Sequence, residues 1–234
     1  MEPLNFSRSP ALNNIPSKKV QDYLDFINNS TDDEKIKTLR LIAANRYAES
    51  NIPVEYWSLK MDKDFYGDPR LLEKYNEYTA DLKVAYMNGT SICLAGNHGL
   101  GKTLTMTCIL KKATQKGYSG LYTTLSDIVT VLTSSPNEEK YLSRKELVMV
   151  DFLVIDEFDS RFMPSDNAAD LYARSLESVF RTRSQNKLPT LMCTNSPNVV
   201  ESFNGPLKQS IDSLMKGYIK MFPVFGDDFR KKKV

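Results

Sequence analysis

At 234 residues, 41% hydrophobic and 26% charged, the chain has the composition of one large globular domain, or of one domain with a small appendage. A net charge of +2 neither announces nor excludes a nucleic-acid partner, because composition is blind to a basic patch. No apolar run approaches the roughly 18 residues that span a bilayer, and "MEPLNFSRSPALNNIPSKK" has no signal-peptide core, so the expectation is a cytoplasmic protein with no membrane partner.

Residues 1–16 are rich in Pro and Asn and read as irregular. In "KKVQDYLDFINN", Val20, Tyr23, Leu24, Phe26 and Ile27 recur at helical spacing. A second helix is expected in "STDDEKIKTLRLIAANRYAES", with Thr31 and Glu34 at capping-box spacing and an end at Pro53. Residues 68–88 read as one further helix, broken by Asn88-Gly89. The period then changes. Strands are expected at 91–96, 120–125, 152–156 and 188–195. Helices are expected from the glycine loop to about Lys116, after Ser126 as a cap, and through "NAADLYARSLESVFRTRSQ". Such alternation predicts an α/β fold, a parallel sheet between two layers of helices. Cys93, Cys108 and Cys193 lie in apolar contexts and read as buried thiols of a reducing compartment.

Gly96-Asn97-His98-Gly99-Leu100-Gly101-Lys102-Thr103 meets the phosphate-loop pattern between an expected strand and an expected helix. Its glycines let backbone N–H groups turn inward, and the helix beginning near Lys102 points its positive end at an anion. Lys102 is expected to reach the β and γ phosphates, the Thr103 hydroxyl to ligate Mg²⁺, and Leu104 to follow beside the nucleotide. His98, the sole histidine, occupies a variable loop position and reads as a phosphate neighbour at most.

Phe152 to Ile155 drive a buried strand to the carboxyl edge of the sheet, where α/β sites lie. Asp156 follows as a Mg²⁺ group and Glu157 as the base that orients and deprotonates a water. Phosphotransferases have no use for an activated water, so the Asp–Glu pair argues for hydrolysis. Asn195, at the tip of the strand "PTLMCTN", is placed to hold the attacking water and sense the γ-phosphate.

With these residues in hand the chain resembles an AAA+ ATPase, within that class the DnaC/IstB group of helicase loaders and transposition ATPases, over about residues 52–230. "YTTLSDIVTVL", "VDFLVIDEF", "RSQNKLPTLMCTNSP" and "VFGDDFR" carry the likeness beyond the phosphate loop. The resemblance implies a three-layer P-loop fold at 52–234 without a full helical lid, preceded by a helical partner-binding segment at 1–51. It implies ATP with Mg²⁺, and Arg230 as a nucleotide contact. It implies ATP-dependent self-assembly and a grip on a replicative DNA helicase, through Tyr23, Phe26, Ile27, Leu39, Leu41 and Ile42, for delivery to single-stranded DNA. Where the family has an arginine finger this chain has Ser213, so Lys216, Arg183 or a partner's arginine would have to supply the charge.

Two other functions fit the same residues. One is an IstB-like transposition ATPase on duplex DNA, the other an ATP-binding adaptor with little hydrolysis. For DNA contact the candidates are Lys111, Lys112, Lys116, the "RKKKV" tail, Tyr118 and Tyr122; a solvated helix end, a solvated tail and burial beside a strand are the simpler readings.

Overall fold

The computed structural model describes residue 12 and residues 15–134, 136–159, 161, 169–201, 203 and 205–229. Four helices lead: α1 (Ser17–Asn28), α2 (Glu34–Glu49), α3 (Pro69–Ala80) and α4 (Leu82–Asn88). Then come β1 (Ser91–Ala95), α5 (Lys102–Gln115), β2 (Gly120–Thr124), α6 (Leu125–Ser134), α7 (Asn137–Met149), β3 (Phe152–Asp156), α8 (Ala169–Gln185), β4 (Thr190–Thr194), α9 (Gly205–Gly217) and β5 (Ile219–Pro223). The strands form one parallel sheet in the order β2-β3-β4-β1-β5. Among the described residues no helix is long and apolar enough to cross a membrane. The three cysteines are buried and free.

Every residue of β1, β3 and β4 is buried, which is why these strands read as continuous apolar runs. Successive side chains point to opposite faces. Leu153 and Ile155 meet Leu125, Leu147, Leu176 and Ile211, from α6, α7, α8 and α9. Phe152 and Val154 meet Tyr47, Leu71, Leu82 and Ile109, from α2, α3, α4 and α5. The result is the expected three-layer α/β architecture. Ile27 of α1 belongs to the second cluster, so the leading helices are built onto the same face as α5.

Local chemistry departs from the sequence reading in several places. α2 is capped by Asp33, whose carboxylate accepts from Lys35 N–H at 2.9 Å, not by a Thr31–Glu34 box. The stretch 68–88 is two helices: Asp81 leaves helical geometry and its side chain accepts from Val84 N–H at 3.0 Å, starting α4. α6 begins at Leu125, two residues earlier than a Ser126 cap requires. Thr124 and Asp127 close it reciprocally, Asp127 N–H on Thr124 Oγ1 at 3.1 Å and Thr124 N–H on the Asp127 carboxylate at 3.3 Å. α7, α9 and β5 are elements that the pattern reading did not resolve.

Arg183 departs furthest from its expected role. It is 1% exposed and sits at the amino end of the sheet, away from the phosphate loop. Its guanidinium donates to the carbonyls of Leu147 (2.9 Å), Val150 (2.8 Å), Asp151 (3.3 Å) and Pro189 (2.6 Å), and to Thr190 Oγ1 (3.0 Å). One side chain thereby joins the end of α7 to the starts of β3 and β4, and it cannot act as a finger on a neighbour's nucleotide. Burial pulls its pKa down to about 9, still above neutrality, so the group stays cationic. Replacing it leaves buried carbonyls without a donor. Arg183→Met is expected to lose about 3 kcal/mol or more of stability in chemical denaturation. Arg183→Lys should recover only part of this, because an ammonium cannot span the five acceptors.

Candidate nucleotide site

β1 brings the chain to the carboxyl edge of the sheet and α5 carries it away. Between them the loop needs left-handed backbone at Gly99 (φ +76) and Gly101 (φ +88), which L side chains adopt only with strain. Space is also closed at both. A Cβ on Gly99 would lie 1.8 Å from Asp228 Oδ1, and one on Gly101 would lie 2.5 Å from the Phe65 ring. Gly101 is the N-cap of α5 and offers no side-chain acceptor, so the first-turn N–H groups remain open to an anion.

Lys102 is buried, and its Nζ donates to Gly96 O (2.7 Å), Asn97 O (2.6 Å) and Asn195 Oδ1 (3.1 Å). The last bond crosses from the loop after β1 to the tip of β4. Thr103, Leu104, His98, Asp156, Glu157 and Asn195 border the same cavity of about 350 Å³. His98 is exposed there.

At the end of β3 the buried Asp156 is held on both oxygens. Tyr122 Oη donates to Oδ2 at 2.9 Å and Glu157 N–H donates to Oδ1 at 2.8 Å. Glu157 has φ +50, a conformation that costs a non-glycine residue about 1 kcal/mol or more. Phe158 N–H donates to Cys193 O at 2.8 Å, pinning the chain after β3 onto β4. The Glu157 carboxyl has its pKa raised, first by desolvation and then by the Asp156 and Asp127 carboxylates, while His98 and Arg161 oppose the rise. Among the described residues no cluster of three or more His, Cys, Asp or Glu encloses a metal. A hydroxyl and one carboxylate on a shared cavity suit Mg²⁺, which keeps waters and phosphate oxygens as its other ligands.

One further wall of the cavity is built by residues that the sequence motifs do not name as site residues. Tyr56, Leu59, Asp64, Tyr66 and Phe229 line it. Lys111 fixes that wall: its Nζ donates to Tyr56 O at 2.6 Å and to Leu59 O. The aromatic density of "VEYW" and "DFYG" was the available signal. Phe229 N–H donates to Gly99 O at 3.1 Å, so the segment after β5 rests on the phosphate loop. Arg230 itself lies outside the described residues. Ser213 is exposed on α9, and Lys216 is exposed and pairs with Asp212 at 2.6 Å.

Of the DNA-contact candidates, Lys111 is spent on those carbonyls and Tyr122 on Asp156. Tyr118 packs between Tyr86 and Phe152. Lys112 lies over the Tyr75 ring, and the "RKKKV" tail is outside the described residues.

A family model for IstB-like ATP binding protein matches residues 66–186, more than half of the chain. The chain belongs to the IstB-like ATP-binding family. That match includes the phosphate loop and the Asp156–Glu157 strand and stops short of β4 with Asn195. Among solved structures, DnaI is similar at TM-score 0.58 and 14% identity, over 74% of this chain and 95% of that one. The DnaC helicase loader is similar at 0.57 and 17%, over 73% and 99%. DnaA from Aquifex aeolicus bound to AMPPCP is similar at 0.53 and 17%, over 73% and 51%. This chain thus covers about half the length of the replication-initiator structures it resembles. At such identities the likeness is one of fold, the AAA+ P-loop fold. The search of curated proteins finds no match.

For this IstB-like protein, Gly99→Ala is expected to weaken ATP binding about tenfold or more in a fluorescent-nucleotide titration, through both φ and the Asp228 clash. Adding Asp228→Gly should restore part of the loss, since it removes the clash and leaves the backbone strain.

Proposed function

We propose that this IstB-like protein is a Mg²⁺-dependent ATPase that loads a replicative helicase onto single-stranded DNA. The observation that carries the ATPase reading is the Lys102 amine, bonded at once to the phosphate loop and to Asn195, in a cavity that also holds Asp156 and Glu157. In this reading Lys102 exchanges its carbonyl partners for β and γ phosphate oxygens. The first-turn N–H groups of α5 hold the phosphates, and Thr103 and Asp156 hold the cation. Bound Mg²⁺ neutralises phosphate charge. Glu157 takes the proton of the attacking water, and Asn195 orients that water beside the γ-phosphate. Tyr56, Tyr66 and Phe229 offer apolar rings for the base.

The loader reading is supported by the fold shared with DnaI and the DnaC helicase loader, and by the leading helices. Phe26 of α1 and Ile36, Leu39 and Ile42 of α2 are exposed, whereas Ile27, Ala44 and Tyr47 are buried. That exposed face is the grip we assign to the helicase. The family model is equally at home with a transposition ATPase, and the exposed Ser213 favours an adaptor that binds ATP and turns it over slowly.

Three measurements separate these readings. Lys102→Ala should weaken ATP binding, and Glu157→Gln should bind ATP and lose turnover; normal turnover by Glu157→Gln would falsify its assignment as the base. Leu39→Asp should lose helicase binding and keep ATP binding; undiminished helicase binding would remove the grip. Deletion of residues 1–50 is a poorer test, because it strips Ile27, Ala44 and Tyr47 from the core. ATPase activity stimulated by single-stranded DNA and helicase together supports the loader, whereas ATP binding with silence in every mixture supports the adaptor.

A further inference from the structure

We propose that Tyr122 is a positioning residue for the Asp156 carboxylate, held in place by the backbone that leaves α2. The inference rests on the reading of Asp156 as a Mg²⁺ ligand. Tyr122 lies on β2, in register with Val154 of β3, and its ring belongs to the buried cluster on the α5 face. Its hydroxyl donates to Asp156 Oδ2 at 2.9 Å while the Glu157 N–H takes Oδ1 at 2.8 Å. A carboxylate with a donor on each oxygen, and the Cys193 thiol as a further side-chain partner, cannot rotate freely about its last torsion. Each oxygen still has lone-pair capacity for a cation on the cavity side. The two donors therefore fix the direction in which Asp156 presents its charge, as outer-shell partners of metal ligands do.

The placement of the hydroxyl depends on a second set of bonds. β2 is an edge strand, and among the described residues no strand pairs with its outer backbone groups. Tyr122 N–H donates to Ser50 O at 2.8 Å, and Asn51 Nδ2 donates to Tyr122 O at 2.9 Å. Asn51 adopts φ +52 to make this contact. Ser50 and Asn51 are the first residues after α2, which is itself tied to α5 by Arg46 Nη1 on Gln115 O at 2.9 Å. The exit of α2 thus clamps the backbone of the residue whose side chain holds Asp156. Nothing in the strand pattern requires a hydroxyl here: phenylalanine would fill the same apolar space and leave Asp156 Oδ2 without its donor.

The test is Tyr122→Phe, read by fluorescent-ATP titration in EDTA and then across a Mg²⁺ series, with Mn²⁺ binding followed by electron paramagnetic resonance. Expected are an unchanged ATP affinity in EDTA and a roughly tenfold rise in the Mg²⁺ and Mn²⁺ concentrations needed for half-saturation. Asn51→Gly, which keeps the positive φ and removes the amide, should raise the same requirement to a smaller extent. Wild-type cation dependence in Tyr122→Phe, or a loss of ATP affinity in EDTA equal to that in Mg²⁺, overturns the positioning role alone. A wild-type protein that binds ATP with no dependence on Mg²⁺ overturns the metal-site reading of Asp156, and this inference with it.

Discussion

A parallel sheet covered on both faces leaves its strands only their ends for polar side chains, and that constraint organises the whole molecule. β1, β3 and β4 are buried throughout, and the polar groups they serve gather at two rims. At the amino rim, Ser91 Oγ accepts from Thr190 N–H at 2.9 Å and Arg183 gathers four carbonyls and a hydroxyl. At the carboxyl rim, Lys102 gathers Gly96, Asn97 and Asn195. Each rim is closed by one buried cation, but the two differ in kind. The guanidinium is rigid, planar and surrounded by five fixed acceptors, of which Pro189 O also takes Leu153 N–H at 3.2 Å. The ammonium sits on a flexible stem over loop carbonyls, which in the proposed reading it exchanges for phosphate oxygens. The first arrangement makes a permanent joint and the second an exchangeable one.

The strand order decides what the exchangeable cation meets. Because β4 lies between β1 and β3, the residue that follows β4 stands between the phosphate loop and the Asp–Glu pair. Had β3 neighboured β1 directly, Asn195 would stand beyond Asp156 and the Lys102–Asn195 bond would be out of reach. The pin from Phe158 N–H to Cys193 O then fixes the height of Glu157 relative to the same strand tip. The strained backbone of Glu157 is the local consequence: the chain has to turn within one residue of β3 while Asp156 keeps its bond from the Glu157 N–H.

What could be read from the sequence follows the range of the interactions. The phosphate loop, the buried strands and the alternation that makes the sheet are local patterns, and residues 98–104 border one cavity with Asp156, Glu157 and Asn195. Partnerships between distant residues were not legible. Tyr122 and Asp156 stand 34 positions apart, and Lys102 and Asn195 stand 93 apart. Arg183 read as a candidate for trans action because its sequence neighbours resemble a motif; only the register of α7, β3 and β4 reveals its five acceptors. α7 was missed because "NEEKYLSRKELVM" spreads charge around the helix and buries only Ser143, Glu146 and Leu147. α9 was missed because it opens on Gly205-Pro206, a pair that reads as a turn.

The leading helices illustrate how one face can serve two ends. α2 turns Ala44 and Tyr47 into the core and leaves Ile36, Leu39 and Ile42 outside. Its inner side is joined to α5 through Arg46, and through a hydrogen bond between Gln115 and the Tyr47 hydroxyl. α5 starts at Lys102, and from its middle Lys111 holds the Tyr56 and Leu59 carbonyls behind the cavity wall. α2 is therefore connected to the candidate nucleotide cavity by three short routes: along α5 to the phosphate loop, through Lys111 to the aromatic wall, and through Ser50 and Asn51 to Tyr122 and Asp156. The route through Asn51 and Tyr122 runs through buried hydrogen bonds and the other two through exposed or partly buried ones, so displacement of α2 is costliest where it meets β2, unless the site moves with it. A helical pair that floated on a linker would give a partner a handle with no such consequence.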